Sequence, residues 1–517
     1  MARIRLPEST DSLRTSYKFQ IPAALQPRFA WRYCLASAAL AYVLYCFIFN
    51  KPFFSSRLPR YTGPYKVGAV DVEVPVRERR LVGDVVLKGN NEPAFELRTV
   101  LFTMYYPAAK SASSGNKHYW IPKPLWLTSY GYAKFAHISN FLSNNLFTAV
   151  MGILVGNTKI PASVNVPVVS SKEVSSHVQL QSGISNTNMD SSSYQSSTNS
   201  TQIPVMIFTH GMASSRTQYS HYLGELASRG YICAAIEHRD GSGPGTQIID
   251  STTSPPTMID RLHFDLGDVK SPSTSKIEVD NFKAMQLAFR EAEIMETVHV
   301  IHSLNDKTGS KVMSTNSRNE GDKSDLPSLI GRVAVDKTIL AGHSYGATGA
   351  LQGLKPHTDM ARVFAGGIAL DPGKSSGRLN TNIDVPVLII HSTSWSAKRS
   401  VFYGRPHFDV VMEIATNLNA KGIGSWFMTS LGTSHPSVTD APLLEPLLLK
   451  WTTGAGIDAH EGLRQYVHVT DDFAKFVGDG KRRNLLALPV DSPVYDKKNE
   501  GMAKEWRDYW QVHVSPR

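Results

Sequence analysis

Cysteine is scarce in this chain of 517 residues, which contains only three. Cys34 and Cys46 lie within one apolar run near the N-terminus, so Cys233 is the only cysteine in the rest of the chain. An intradomain disulfide is therefore excluded there, and a fold of this size must rely on its hydrophobic core. No repeat of fixed period is present, which argues against solenoid and propeller architectures.

A strongly basic surface is also missing from most of the chain. The net charge is +10, but residues 1–60 hold nine Lys or Arg against two acidic residues, which leaves about +3 for residues 61–517. No basic stripe indicates a nucleic-acid partner. Most of the net positive charge lies in residues 1–60, which begin with a basic N-terminal tail, residues 1–32.

One apolar run follows that tail. Residues 33–49, YCLASAALAYVLYCFIF, carry no charge and approach the length that crosses a bilayer. Because more Lys and Arg precede the run than follow it, it predicts a single-pass signal anchor with the rest of the chain lumenal or extracellular. A cleaved signal or transit peptide and a buried core helix are the alternatives. The sequon Asn199-Ser200-Thr201 is usable only in the lumenal case.

Two polar stretches interrupt the globular composition. Residues 169–203 and 305–326 are rich in Ser, Asn and other polar residues, and they contain few large apolar side chains. Such segments cannot bury enough surface to fold alone, which predicts disordered insertions within a domain that spans 60–480. Residues 481–517 are predicted to be a C-terminal extension.

Short apolar runs alternate with helical periodicity throughout that domain. This alternation predicts an α/β fold, with a mostly parallel sheet of eight strands and helices on both faces. The first two strands are expected to pair antiparallel at one edge, and the other six read as strands buried on both faces. The eight predicted strands are 69–75, 98–106, 204–210, 232–238, 338–343, 366–371, 386–391 and 425–431.

A G-x-S-x-G pentapeptide, GHSYG, follows the fifth of these strands. Ser344 stands at the carboxyl end of TILAGH, and ATGALQGL continues as a helix of small residues. Gly342 and Gly346 suit a sharp turn from strand to helix, where bulk would collide with neighbouring backbone. The context favours a nucleophilic serine over a structural turn serine.

A serine nucleophile needs a base and an orienting acid, which in this architecture follow in the order acid, then histidine. LGTSHPSVTD places His435 after the last predicted strand, on the same edge of the sheet as Ser344. GGIALDPG places Asp371 at the tip of the next strand after Ser344, whereas the following strand ends in HSTSW and has no carboxylate. Alternatively, His435 is a loop histidine without a catalytic role, and Asp371 is a structural aspartate of a turn.

The tetrahedral intermediate of acyl transfer also needs hydrogen-bond donors. PVMIFTH runs into a Gly-containing loop at Gly211, which points to the backbone N–H of Met212 as one donor. The second donor is the N–H of Tyr345, directly after the nucleophile. Alternatively, THGMASS is only a turn.

Together these motifs resemble a known family. IFTHGMASSRTQYS, LASRGYICAAIEHRDGS, ILAGHSYGATGA, GIALDPG and LGTSHPSVTD are similar, in order and spacing, to the platelet-activating factor acetylhydrolases of the secreted plasma and intracellular lipid-associated type. YTGPYKVGAVDVEVP and YYPA look like the N-terminal block of that family. The resemblance covers about residues 60 to 480 and implies an α/β-hydrolase fold.

The resemblance implies a calcium-independent serine hydrolase that removes sn-2 acetyl or short or oxidised acyl groups from glycerophospholipids. Ser344, Asp371 and His435 match the triad of the family, Met212 and Tyr345 match its oxyanion donors, and no metal or cofactor is expected. The partner is a phospholipid at a membrane or lipid surface, and the oligomeric state stays open. An esterase for soluble esters or polyesters and a non-catalytic membrane-anchored binding protein are the alternatives. Residues 118–147 resemble the region where the family meets lipid, or they form an internal helix pair.

Overall fold

The computed structural model describes residues 31–49, 55–113, 115–173, 202–272, 276–318, 324–356, 362–398, 400–496 and 502–517. These residues belong to two compact units, residues 1–53 and residues 54–517. Most of the predicted tail (1–32), most of the insertion 169–203 and the whole sequon at Asn199 lie outside the described residues.

The described part of the first unit is one helix, α1, Trp31–Ile48. No helix among the described residues is both long enough and apolar enough to cross a membrane. The 18 residues of α1 rise about 27 Å, less than the roughly 30 Å of a bilayer core, and they include Arg32. The single-pass membrane anchor predicted at 33–49 is therefore wrong, and the lumenal or extracellular localisation that was inferred from it loses that basis.

The second unit is built on a sheet that has ten strands among the described residues. The bounds of its strands in chain order are β1 (Lys66–Leu81), β3 (Glu96–Ala108), β4 (Ser163–Val164), β5 (Ile203–Thr209), β6 (Ile232–Ile236), β10 (Val333–His343), β11 (Gly366–Leu370), β12 (Val387–Ser392), β15 (Trp426–Ser430) and β16 (Trp510–Val514). Three two-stranded ribbons stand apart from it: β2 (Val86–Leu87) with β9 (Val269–Lys270), β7 (Gly245–Asp250) with β8 (Thr257–Leu262), and β13 (Val401–Phe402) with β14 (Arg405–Pro406).

The order of strands across the sheet is β16-β15-β12-β11-β10-β5-β6-β3-β1-β4. The six central strands, from β15 to β6, are parallel, and β1 pairs antiparallel with β3. The α/β-hydrolase fold is thus confirmed, and all eight predicted strands are present. The two further strands lie at the edges: β4 has only two residues, and β16 comes from the C-terminal 481–517 segment and pairs antiparallel with β15.

Helices cover both faces of this sheet. The described helices that follow α1 are α2 (Leu125–Phe135), α3 (Phe141–Leu154), α4 (Ser220–Ser228), α5 (Val279–Asn305), α6 (Gly309–Met313), α7 (Tyr345–Gly353), α8 (Thr393–Ala397), α9 (His407–Ala420), α10 (Ala441–Leu444), α11 (Pro446–Thr453), α12 (Ala459–Asp479) and α13 (Lys504–Arg507). Single turns of 3-10 helix occur at 266–268, 326–329, 435–438 and 484–487.

Alternate residues of the central strands enter two separate cores, as the two-residue period of a strand requires. On β5, Ile207 packs with residues of α5, α7 and α9 on one face, while Phe208 packs with α4 and α12 on the other. Both faces of these strands are therefore buried, which explains why their sequences read as continuous apolar runs.

The polar stretch 305–326 contains ordered structure where it is described. Residues 309–313 form α6, and Asn316 accepts a hydrogen bond from the backbone N–H of Glu73 at 2.8 Å. Arg318 donates to the Glu73 carboxylate at 2.7 Å. Residues 319–323 lie outside the described part of the chain.

Asp440 joins three distant segments in the interior. Its carboxylate accepts hydrogen bonds from the backbone and hydroxyl of Ser220, from the N–H of His221, and from the indole of Trp120, at 2.6–3.1 Å. These donors belong to the N-terminus of α4 and to the segment before α2, so one carboxylate fixes both. Burial raises the pKa of this carboxyl to about 7, although its four hydrogen bonds favour the charged form.

This shift predicts a pH-dependent stability. The ordinary pKa of the carboxyl is 3.8, so between pH 4 and pH 7 the folded state binds more protons than the unfolded state. The free energy of unfolding should therefore fall by up to about 4 kcal/mol as the pH rises through that window. Asp440→Asn cannot ionise and should lose less over the same range. Urea unfolding of both proteins from pH 4 to pH 8 measures this, and a difference that is independent of pH would contradict it.

Candidate active site

Ser344 lies at the turn between β10 and α7. Its backbone has φ 57° and ψ −120°, and a positive φ is strained for a residue that carries a side chain. Its N–H donates to Leu370 O on the neighbouring β11 at 2.9 Å. The two glycines of the pentapeptide leave no space for a side chain. A Cβ on Gly342 would lie 2.3 Å from Gly346 O, and one on Gly346 would lie 2.0 Å from Thr209 O. The strand, turn and helix thus meet with backbone against backbone, which lifts Ser344 out of the sheet.

His435 and Asp371 converge on this serine from two other strand ends. The Nε2 atom of His435 lies 3.0 Å from Ser344 Oγ, and its Nδ1 atom lies 2.9 Å from Asp371 Oδ2. Because a carboxylate can only accept, Nδ1 carries the proton and Nε2 is free to accept one from the serine. The structure therefore brings the three predicted residues into one chain of hydrogen bonds.

Asp371 is buried and fixed from the next strand, β12. The backbone N–H of Ser392 donates to Asp371 Oδ1 at 2.6 Å, and the Ser392 hydroxyl donates to Oδ2 at 2.7 Å. Ser394 accepts a hydrogen bond from the His435 backbone at 2.9 Å. Trp395 stacks on the His435 ring, with 4.0 Å between ring centroids and 10° between planes. All three supporting residues come from the HSTSW end of β12.

The loop after β5 lies against the serine. A Cβ on Gly211 would lie 3.0 Å from Ser344 Cβ, and the Gly211 N–H donates to Tyr219 Oη at 3.2 Å. Neither of the two predicted oxyanion donors, Met212 N–H and Tyr345 N–H, has a partner among the described residues. Tyr345 is the first residue of α7, where an N–H has no acceptor within its own helix.

His343, inside the pentapeptide, is a neighbour of His435 with a different environment. Its Nδ1 lies 2.9 Å from Tyr219 Oη, and its ring centroid lies 4.5 Å from that of His435. Burial holds the pKa of His343 well below its ordinary value, so the imidazole is neutral. His343 thus links the serine turn to Tyr219 without adding charge.

The same residues form a possible set of metal ligands. One donor atom each from His343, Asp371 and His435 lies within 4.8 Å of the other two, and no other such group occurs in the described ranges. Both nitrogens of His435 already lie at hydrogen-bond distance from Ser344 or Asp371. Hydrogen bonding therefore accounts for the way these side chains converge.

A buried arginine contacts both the loop after β5 and the turn that carries Ser344. Arg290 of α5 is fully buried and donates to Asp240 Oδ2 at 2.8 Å, to His210 O at 2.9 Å and to Ser242 Oγ at 2.6 Å. Its guanidinium carbon lies 4.3 Å from the centroid of the Tyr345 ring. Burial opposes the charge on Asp240, yet Arg290 holds the pKa of that carboxyl below its ordinary value.

Sequence reasoning missed these supporting residues. A signal existed for the β12 end, because HSTSW places polar side chains beside Asp371 on a neighbouring strand. None existed for Arg290, since an arginine within an amphipathic helix reads as a solvent-facing residue.

The packing of the serine turn predicts unequal losses of stability for alanine substitutions at two glycines of one helix. Gly346→Ala should lower the free energy of unfolding by at least about 2 kcal/mol, because its methyl group would meet the backbone of Thr209. The matched change Gly349→Ala has only van der Waals neighbours, the nearest at 3.5 Å, and should alter stability by less than about 1 kcal/mol. Urea denaturation compares them, and equal losses would refute the packing argument.

The chain also matches known proteins. The family model described as platelet-activating factor acetylhydrolase, isoform II, matches residues 52–176 and 168–476. A platelet-activating factor acetylhydrolase of Cavia porcellus is 24% identical over 322 residues, which cover 62% of this chain and 56% of that protein. The proteins of the same name from Canis lupus familiaris and Bos taurus are 26% and 27% identical and are each covered to 55%.

The chain thus spans just over half the length of the curated relatives it matches. The family match includes more than half of this chain, and it contains the serine turn, the acid and the histidine. The resemblance stated from the motifs is therefore confirmed, and the chain belongs to the platelet-activating factor acetylhydrolase, isoform II, family.

Proposed function

We propose that this protein is a serine-dependent carboxylic ester hydrolase that removes the sn-2 acetyl group, or a short or oxidised acyl group, from glycerophospholipids. The observation that carries the proposal is the chain of hydrogen bonds from Ser344 Oγ through His435 to Asp371, built on a strained strand-to-helix turn. The relatives named platelet-activating factor acetylhydrolase support the lipid substrate.

In the proposed reaction, His435 Nε2 takes the proton of Ser344 as the serine oxygen attacks the ester carbonyl carbon. The N–H groups of Met212 and Tyr345 stabilise the resulting oxyanion. His435 then gives its proton to the departing glycerol oxygen, which leaves an acyl-serine. A water molecule, deprotonated by His435, attacks this ester and releases the carboxylic acid and free Ser344. Asp371 holds the imidazole in the required tautomer throughout and stabilises its positive charge.

A lipid surface is the proposed location of the substrate. Helix α3 has no buried residue, and it exposes the large apolar side chains of Phe141, Leu142, Leu146, Val150, Ile153 and Leu154. Helix α11 exposes Leu447 and Trp451, each to 84%. An exposed apolar surface of this kind suits insertion between lipid headgroups.

The two helices are connected through one short segment. Ser55 donates to Leu154 O at the end of α3 at 3.0 Å, and the N–H of Ser56 donates to Leu444 O, two residues before α11, at 2.8 Å. By contrast, α2 buries Leu127 and Ala133 among other residues. Residues 118–147 therefore combine an inward-packed helix with the start of an exposed one, and we assign lipid contact to α3 and α11.

Nucleophile labelling tests the enzyme proposal. A fluorophosphonate should label the wild-type protein at Ser344, and Ser344→Ala should lose the label together with about a thousandfold or more of its ester hydrolysis. Ser328→Ala, which changes an exposed serine outside the turn that carries Ser344, is the matched control. Unlabelled Ser344 in folded protein would overturn the proposal.

A substrate series tests the specificity. We expect phosphatidylcholines with an sn-2 acetyl group to be hydrolysed at least about tenfold faster, in kcat/KM, than those with a long sn-2 chain. A faster reaction with soluble aryl esters than with any phospholipid would instead indicate a general esterase.

The lipid-surface assignment predicts a selective loss on vesicles. Leu142→Ser combined with Leu447→Ser removes apolar area from α3 and α11, so the ratio of vesicle activity to soluble-ester activity should fall at least about tenfold. Val494→Ser changes an exposed apolar residue outside both helices and serves as the control. Sedimentation with phosphatidylcholine vesicles measures binding directly, and undiminished binding by the double variant would exclude these helices as the contact.

A further inference from the structure

Trp395 is the closest aromatic neighbour of His435, and the proposed reaction gives it no role. The two rings are nearly parallel, at 10°, whereas the His343 ring is tilted by 38° to that of His435. The His435 side chain is 30% exposed, so solvent reaches the imidazole on part of its surface. The indole therefore occupies space into which the imidazole could otherwise turn.

Trp395 is held at three points, two on its indole and one on its main chain. Its Nε1–H donates to Pro372 O at 3.0 Å, directly after the acid Asp371. Lys374 Nζ donates to the main-chain oxygen of Trp395 at 2.7 Å and lies 4.6 Å from the centroid of its ring. A second bond from Lys374, to Lys398 O at 2.7 Å, spans α8 from the other end. The Asp371–Lys374 segment and α8 are thus tied together around Trp395.

The triad hydrogen bonds alone leave one motion of the base weakly restrained. Bonds at Nδ1 and Nε2 hold the two ends of the imidazole, but each bond bends at little cost, so they oppose only weakly a tilt that moves the ring out of line with its two partners. A tilt turns the Nε2 lone pair away from Ser344 Oγ, and proton transfer is sensitive to such misalignment. A parallel aromatic plane at 4.0 Å opposes that tilt by steric contact.

The stack also acts on the charge that the base acquires. His435 becomes an imidazolium when it takes the serine proton, and the electron-rich face of an indole attracts cations. This attraction is absent while the imidazole is neutral, so it favours the transition state over the ground state.

We propose that Trp395 is a positioning residue for this reaction: it holds the imidazole of His435 in the plane that faces Ser344, and Lys374 holds Trp395 in turn. The inference rests on the proposed function, because it acts through the base of that reaction. It predicts a loss of turnover rather than of substrate binding.

A double-mutant cycle on hydrolysis of a soluble p-nitrophenyl ester tests this role. Trp395→Ala should lower kcat by about 30-fold while KM changes by less than about threefold, and Trp395→Phe, which keeps a flat face, should recover most of the loss. In a His435→Ala background, where no base remains to be positioned, Trp395→Ala should change the residual rate by less than about twofold. A further loss in that background, as large as in the wild type, would overturn the proposal.

A matched pair of lysine variants tests whether Lys374 holds Trp395 in place. Lys374→Met should lower kcat in the same direction as Trp395→Ala, by about threefold to tenfold, with little change in KM. Lys398→Met removes a charge from the same segment but keeps the main-chain oxygen that Lys374 contacts, so it should match the wild type. Equal effects of both lysine variants would refute the anchoring role.

The failures of the two proposals are distinguishable. If Ser344→Ala retains full activity, the proposed reaction is wrong. If Ser344→Ala is inactive and Trp395→Ala either retains full kcat or loses activity equally with and without His435, then only the positioning role is wrong. Urea unfolding of Trp395→Phe and Lys374→Met shows that the comparison is made on folded proteins.

Discussion

The buried ion pair between Arg290 and Asp240 is the constraint on which the site depends. An unpaired guanidinium in the interior would cost several kcal/mol, so the surroundings must satisfy it. Arg290 meets this requirement with Asp240, the carbonyl of His210, the hydroxyl of Ser242 and the ring of Tyr345. These partners belong to the loop after β5, the loop after β6 and the first turn of α7. One side chain of α5 therefore sets the mutual position of the Met212 loop and the residue after Ser344.

The stretch EHRDGS likewise contains buried polar residues that are paired with partners elsewhere in the fold. Each of its four residues with an ionisable side chain contacts a residue of opposite type far along the chain. The pairs are Glu237 with Arg216, His238 with Glu293, Arg239 with Glu73 and Asp240 with Arg290. Among the described residues, none of these four forms a hydrogen bond or ion pair with Ser344, so a motif that distinguishes the family by sequence stabilises the buried interior here. Such networks stabilise most when their members are paired, so the loss of one partner would leave a buried polar group without its hydrogen bond.

Features that depend on local sequence could be predicted, whereas features that depend on distant parts of the chain could not. Strands buried on both faces read as apolar runs, and the residues of the proposed triad follow the chain order typical of α/β-hydrolases, so the convergence of Ser344, Asp371 and His435 could be predicted from position. The role of Arg290 could not, because it depends on which strands and helices become neighbours, and the HSTSW end indicated polar side chains beside Asp371 but not the stacking of Trp395 on His435. The apolar run at 33–49 was misread as a membrane anchor because its composition outweighed the limited length of the helix it forms.

The contacts made by the end of β12 explain why no carboxylate is needed there. With the acid at the tip of β11, the next strand end is free to supply neutral groups, and Ser392 donates twice to Asp371. Ser394 fixes the backbone of His435, and Trp395 lies against its ring. A second carboxylate at this strand end would repel Asp371 and compete for His435 Nδ1. Of these two adjacent strand ends, β11 therefore supplies the charged carboxylate. The end of β12 supplies the neutral groups that hold this carboxylate and the His435 imidazole in position.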